Sequence, residues 1–303
     1  MSFTASSSLP ATCRAIVYTS TDKPVSVETV NMPEAVPGSL IVKILAANLD
    51  TSANKIVTGG LWGLEVPSPS IPGTRGVGRV VAMGPDTSSF EIGQLVLLDP
   101  FIRARDNPEV SFLWGAGVFG GDPRAKKLSQ GPWANGMWAE YVRSPLENCY
   151  ALDERVLMGS PSNGGLGYTA SELTIIARHV VAYGGLRGIN LQAGETVIVA
   201  PATGNFSGAA VDVASALGAR VIAVGRSKKT LEKIAASTPR VSVYELTGDV
   251  EEDQAGIQRL GAIDAYIDIS PAVANESTHV RSCIGAVRSY GRISLVSTSQ
   301  ICL

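Results

Sequence analysis

The stretch from Thr196 to Lys229, TVIVAPATGNFSGAAVDVASALGARVIAVGRSKK, limits the folds open to this chain more than any other. Thr196 to Ala200 is β-branched, apolar and uncharged, as a strand covered on both faces is. Pro201 stops it. Ala202, Gly204 and Ser207 are small, so backbone there can come close to a ligand, and a helix of small residues follows. The first N–H groups of such a helix face a phosphate well. Arg220 to Val224 then reads as a second apolar strand, ending in Gly225-Arg226-Ser227-Lys228-Lys229. Strand, glycine turn, helix and strand in that order make the first half of a dinucleotide-binding βαβ unit. The glycine pattern is incomplete. Where Gly-x-Gly-x-x-Gly is usual, the chain has Ala202-Thr203-Gly204-Asn205-Phe206-Ser207, with Gly208 one place late. An ordinary βα turn would also contain glycine; the flanking strands and helix favour the cofactor reading.

The end of the second strand bears on which cofactor. A carboxylate there would bond a ribose 2′-hydroxyl and repel a 2′-phosphate. The chain has Gly225, then Arg226, Lys228 and Lys229. A guanidinium holds a phosphate bidentately, so NADPH is expected over NADH. The plainer alternative makes the lysines a solvated helix start.

At 303 residues there is length for about two domains. Hydrophobic residues are 45% and charged ones 17%, enough for a large core and unlike a disordered chain. A net charge of −2 gives no general reason to bind nucleic acid or an anionic membrane. No apolar run is long enough to span a bilayer, and the N-terminus has no signal-peptide pattern, so the expected compartment is the cytoplasm. Cys13, Cys149, Cys283 and Cys302 form no Cys-x-x-Cys pair and suggest neither disulfides nor a zinc knuckle.

The two halves differ in texture. Residues 13–150 carry short β-rich runs broken by Gly and Pro, among them 14–18, 40–45, 78–83 and 94–98, which suggest a small, partly open barrel. Residues 99–136 read as a long irregular stretch. From 196 onward strands and helices alternate, with further strands at 241–244, 265–269 and 292–296 and helices over 207–218, 228–236, 251–260 and 272–286. The fold class expected is α/β: a β-rich partial barrel over residues 1–160, then a doubly wound parallel (Rossmann) sheet over 161–303. Cofactor contacts are expected from Ala202, Thr203, Gly204, Asn205 and Phe206 in the turn and from Gly225, Arg226, Ser227 and Lys228 after the second strand. Ser270 and Val296, at the ends of the later strands, complete the set.

Several segments together resemble the medium-chain dehydrogenase/reductase superfamily. Ile71-Pro72-Gly73-Thr74-Arg75-Gly76-Val77-Gly78 is similar to its Pro-Gly segment, Gly93-Gln94-Leu95-Val96 to its Gly-Asp-x-Val, and Gly136-Met137-Trp138-Ala139-Glu140-Tyr141-Val142 to its Gly-Gly-Tyr-Ala-Glu-Tyr-Val. Asp264 to Asp268 and Tyr290 to Val296 fit its fourth and fifth strands, so the resemblance runs from Arg14 to Ser297. It implies a GroES-like first domain. The zinc ligands of the family's alcohol dehydrogenases fall here at Asp50, at Thr74-Arg75 and near Ala177, and residues 99–136 contain no cysteine. A cation and a missing thiolate do not make a zinc site. The expectation is a zinc-independent member, like the quinone and enoyl reductases. The chain also stops at Leu303, before the family's usual sixth strand. Any homo-oligomer would then not use that strand, and an uncovered fifth strand would be an association hazard.

Such a reductase would move hydride from NADPH to a carbonyl or conjugated alkene of a small organic substrate. Asp50 is a candidate proton donor, and Arg75 a partner for it or for a substrate carboxylate or enolate; alternatively the two form a salt bridge in the metal's place. His179, in an apolar helix near the lost cysteine position, is a further candidate for proton transfer, though a lone helix histidine is more often structural. His279 reads as surface polar. Trp62, Phe112, Trp114, Phe119 and Trp133 are candidate cleft walls or core. The rival is a redox-inactive relative: a cofactor-binding pseudoenzyme, a partner protein, or a lyase or cyclase using the same cleft.

Overall fold

The computed structural model describes residues 9–50, 53–59, 63–271, 274 and 277–296. Trp62, the 297–303 tail and part of the helix expected over 272–286 lie outside them. The chain divides into two compact units, Met1–Ile175 and Ile176–Leu303.

The first unit is β-rich. β1 (Thr12–Val17) and β2 (Ser26–Asn31) form an antiparallel pair, Cys13 opposite Val30. β3 (Ser39–Ala47) is followed by α1 (Ala53–Val57), β4 (Gly76–Met83) and β5 (Leu95–Leu98). β6 (Phe101–Arg103), β7 (Ser111–Leu113) and α2 (Pro123–Ser129) come next, then β8 (Tyr141–Pro145), β9 (Cys149–Ala151), α3 (Glu154–Leu157) and α4 (Ala170–Leu173). The main sheet runs β8-β3-β4-β5-β9, antiparallel throughout. Leu40, Val42, Val80, Val96, Leu98 and Met137 fill its core.

The stretch 99–136 is not irregular throughout, as expected from its composition. β6 and β7 form a hairpin, and α2 starts on Pro123 with the Asp122 carboxylate accepting from Arg124 N–H. Phe112 and Trp114 belong to the core rather than to a cleft wall, 2% and 0% exposed. Full burial of the Trp114 indole is possible because its Nε1 donates to the Asn135 carbonyl at 2.7 Å. Trp133 packs against the same core, and Phe119 is exposed.

The second unit opens with α5 (Ile176–Gly188). β10 (Thr196–Ala200), α6 (Asn205–Ala216), β11 (Arg220–Gly225), α7 (Lys228–Ser237), β12 (Val241–Glu245) and α8 (Val250–Gln258) follow. β13 (Ala265–Asp268), α9 (His279–Ala286) and β14 (Arg292–Leu295) complete it. The strands are parallel in the order β12-β11-β10-β13-β14. Alternate residues of β10 feed two cores. Val197 and Val199 pack with α5, α6 and Leu231 of α7, while Ile198 and Ala200 pack with Ile257 of α8 and Cys283 and Ala286 of α9. That period of two, apolar on both faces, is what a strand between two helix layers requires. The order reverses between β10 and β13, which makes the crevice at their carboxyl ends the topological switch point.

Candidate functional site

Two loops of the first unit converge after β3 and after Pro72. Asn48 N–H donates to the Arg75 carbonyl at 2.9 Å, and Trp138 N–H donates to the Pro72 carbonyl at 2.9 Å. Three glycines allow the approach. A Cβ on Gly115 would lie 2.0 Å from the Gly73 carbonyl oxygen and one on Gly136 would lie 2.4 Å from it, and Gly73 itself has φ +111°. The side chains delivered there are Asp50 and Arg75. The Arg75 Nη1 donates to Asp50 Oδ2 at 2.5 Å, with the two side chains 10% and 16% exposed. The salt bridge considered from sequence is therefore present. The space beside Asn48, Asp50, Gly73, Thr74 and Trp138 amounts to about 10 Å³, about one water.

On its other side Asp50 joins the wall of a larger cleft of about 800 Å³. Its walls are mostly apolar, with Ile16, Val27, Leu45, Leu49, Val57 and Trp138 among them. Arg14 and Glu140 also line it and pair with each other at 2.8 Å.

In the second unit the expected cofactor loops meet at the switch point. Ala202 is fully buried and donates its N–H to the Val224 carbonyl at 2.8 Å, tying the turn to β11. Gly204 stands just before α6, where its N–H donates to Ser207 Oγ at 3.1 Å. Asn205 and Phe206 open the helix. Gly225 ends β11 with Thr203 beside it, since a Cβ there would touch the Thr203 methyl at 3.4 Å. Arg226, Ser227 and Lys228 are exposed at the start of α7, and Lys228 N–H donates to Glu245 Oε1 at 3.3 Å. Val296 N–H donates to the Asp268 carbonyl at 2.8 Å, joining the end of β14 to β13.

Ser270 belongs to a buried polar cluster that sequence reasoning missed. His279 is not a surface residue; it is 1% exposed. Its Nε2 shares a hydrogen bond with Ser270 Oγ at 2.8 Å and lies 3.6 Å from Asp268 Oδ2, and its Nδ1 meets Ser277 Oγ at 2.7 Å. Asp268 is fully buried and accepts from Ser270 N–H at 2.6 Å and from the Tyr266 hydroxyl at 3.1 Å. Burial alone would push its carboxyl up, but the bonds from His279 and Ser270 outweigh it and hold the group below the ordinary carboxylate range. Burial, with Asp268 beside it, pushes the Tyr266 hydroxyl far up, so it remains a donor. The available signal was Asp268 itself, because a carboxylate ending a strand apolar on both faces needs internal partners.

His179 lies on α5 and faces Asp212 of α6 at 3.6 Å, within the second unit. Asp50 and Arg75, by contrast, belong to the first.

The sequence pattern of the family described as "Alcohol dehydrogenase GroES-like domain" matches residues 36–154. Over 199 residues the chain is 28% identical to a zinc-type alcohol dehydrogenase-like protein of Schizosaccharomyces pombe, covering 65% of this chain and 50% of that one. It is 26% identical to an alcohol dehydrogenase of an Aspergillus species, covering 89% of this chain and 66% of the other. The chain thus spans half to about two-thirds of the length of these curated relatives. Among solved structures, one described as a zinc-binding dehydrogenase of Sinorhizobium meliloti bound to NADP superposes with a TM-score of 0.73 at 19% identity, covering 97% of this chain and 79% of that one. Residues 36–154 thus carry the pattern of the alcohol dehydrogenase GroES-like domain, and the chain is similar over most of its length to alcohol dehydrogenase-like proteins.

The residues at the positions that resemble zinc ligands do not fit the ion. Arg75 has no lone pair to give and already occupies Asp50, and Thr74 is no thiolate or imidazole. Among the described residues no group of three or more His, Cys, Asp or Glu side chains is placed to hold a metal. Among them, too, no helix is long and apolar enough to cross a membrane.

Proposed function

We propose that the chain is an oxidoreductase that uses NADPH in preference to NADH and passes hydride to a carbonyl or conjugated alkene of a small organic molecule, without zinc. The observation that carries this reading is the β10–Gly204–α6 turn at the switch point, beside a β11 that ends in Gly225 and Arg226 rather than in a carboxylate. A bound reduced nicotinamide supplies the hydride. The chain's own residues then bind and orient. The small residues of the turn admit the pyrophosphate, Arg226 pairs with the 2′-phosphate, and the apolar walls around Leu45, Leu49 and Trp138 hold the substrate body. Asp50, locked by Arg75, fixes the polar end of that cleft.

The test is a titration of the purified chain with NADPH and NADH, followed by loss of NADPH absorbance with a panel of carbonyl compounds and enones. Tighter NADPH binding and substrate-dependent oxidation are expected. A second reading, a redox-inactive relative, draws on Ser207. Its hydroxyl consumes the Gly204 N–H that a pyrophosphate would otherwise receive. Failure of both nucleotides to bind would favour it.

A further inference from the structure

We propose that Glu245 of β12 sets the margin between the two nicotinamide cofactors: its carboxylate stands at the start of α7, where it opposes a 2′-phosphate and favours a 2′-hydroxyl. The proposal rests on the nicotinamide reading above and adds the residue that tempers the choice at that same site.

The carboxylate missing from the end of β11 returns from the next strand. β11 and β12 are parallel, with Gly225 level with Glu245, and Leu246 N–H donates to the Gly225 carbonyl at 2.9 Å. Residues level with each other on neighbouring strands share a face of the sheet. A Cβ on Gly225 would meet Thr203 of the turn and Leu231 of α7, each at 3.4 Å, so that face looks toward the cofactor turn and α7. These are ordinary contacts, and packing does not demand glycine there. Glu245 lies on the same face and reaches across, its Oε1 accepting from Lys228 N–H at 3.3 Å.

That N–H is the first of α7, a helix of ten residues, and the first N–H groups of a helix carry partial positive charge. Ser227, at the N-cap, makes no side-chain bond to the helix backbone; its Oγ meets Thr230 Oγ1 at 3.0 Å instead. Glu245 therefore stands as an internal anion where a phosphate would otherwise be drawn. Among the described residues no ion pair neutralises it. Arg226 lies exposed two residues before Lys228. A 2′-phosphate attracted by Arg226 meets a like charge in Glu245, whereas a 2′-hydroxyl can donate to that carboxylate. The two side chains act in opposite directions, and the preference between cofactors is the difference of their effects.

The experiment uses the full chain and calorimetry. NADPH, NADH, 2′,5′-ADP and 5′-ADP are titrated into the parent, Glu245→Gln and Glu245→Lys. Glutamine keeps an oxygen for Lys228 N–H and removes only the charge. Glu245→Gln should bind NADPH and 2′,5′-ADP about five-fold tighter, the factor one unit charge exerts on another a few ångströms away at the surface. NADH and 5′-ADP should gain nothing, and Glu245→Lys should widen the difference further. That ordering by charge is not what a merely structural role would give. If the lysine variant does not fold, the glutamine comparison still decides. A ratio of NADPH to NADH affinity that Glu245→Gln leaves unchanged, including the case where both affinities move by the same factor, overturns the proposal and leaves the nicotinamide reading standing. Failure of the parent to bind any of the four nucleotides overturns that reading and the proposal together.

Discussion

His279→Ala should destabilise the second unit by about 3 kcal/mol or more at neutral pH, the usual cost of removing one partner of a buried charged cluster. The variant loses the bonds to Ser270 Oγ at 2.8 Å and Ser277 Oγ at 2.7 Å, each worth about 1 kcal/mol net. It also strips Asp268, 0% exposed, of a group that helps keep its carboxyl low. For a unit of this size the loss corresponds to a fall in Tm of roughly 10 °C. The pH dependence is the sharper test. In the unaltered protein Asp268 sits below its ordinary value of 3.8, so the stability it contributes is complete above that value and is lost as pH falls through the lower folded one. In the variant burial remains while the His279 contribution is gone, so the folded value moves upward. Falling pH then relieves the variant by protonating a buried, poorly compensated carboxylate. The gap between the two proteins should narrow from about pH 7 to about pH 4. Chemical denaturation at several pH values measures it. A variant within about 1 kcal/mol of the parent at neutral pH, or a gap that widens on acidification, would refute the reasoning.

Arg226→Ala should weaken NADPH binding by about 1.5–3 kcal/mol while leaving NADH nearly unchanged; equal losses for both would remove the 2′-phosphate role. Elemental analysis of purified protein should find well under one zinc per chain, and stoichiometric zinc that survives a chelator would show the ion held elsewhere. Asp50→Asn or Arg75→Met alone should each cost about 3 kcal/mol or somewhat less, given the partial exposure of the pair, and the double variant should recover much of that loss in denaturant melts. Additive losses would show that the two side chains do not act as a pair.

What the sequence disclosed follows from how local its causes are. β10 coincides with the apolar run 196–200 because both of its faces are covered, and composition alone reports that. β6 and β7 escaped notice because three residues are too few to show a period of two. Trp114 reads as a loop aromatic until the Asn135 carbonyl, 21 residues on, is seen to satisfy its indole. His279 depends on Asp268 across a strand end, a loop and a helix start, and no window of sequence contains the reason for its burial. Asp50 and Arg75, 25 residues apart, were linked only through the positions they occupy in a family pattern; their hydrogen bond is a tertiary fact.

The convergence that carries Asp50 and Arg75 is maintained by backbone. Asn48 N–H to Arg75 carbonyl, Trp138 N–H to Pro72 carbonyl and the close approach of Gly73, Gly115 and Gly136 make no use of either charged side chain. The fold therefore delivers two side chains to this spot whatever they are, and the chemistry there is decided by their identity. Soft nitrogen and sulfur donors would make a Lewis acid site that draws electron-rich oxygen. A carboxylate clamped by a guanidinium makes a salt bridge instead. The exchange of one arrangement for the other needs both positions to change together, because either charge alone would be left largely buried without its counterion.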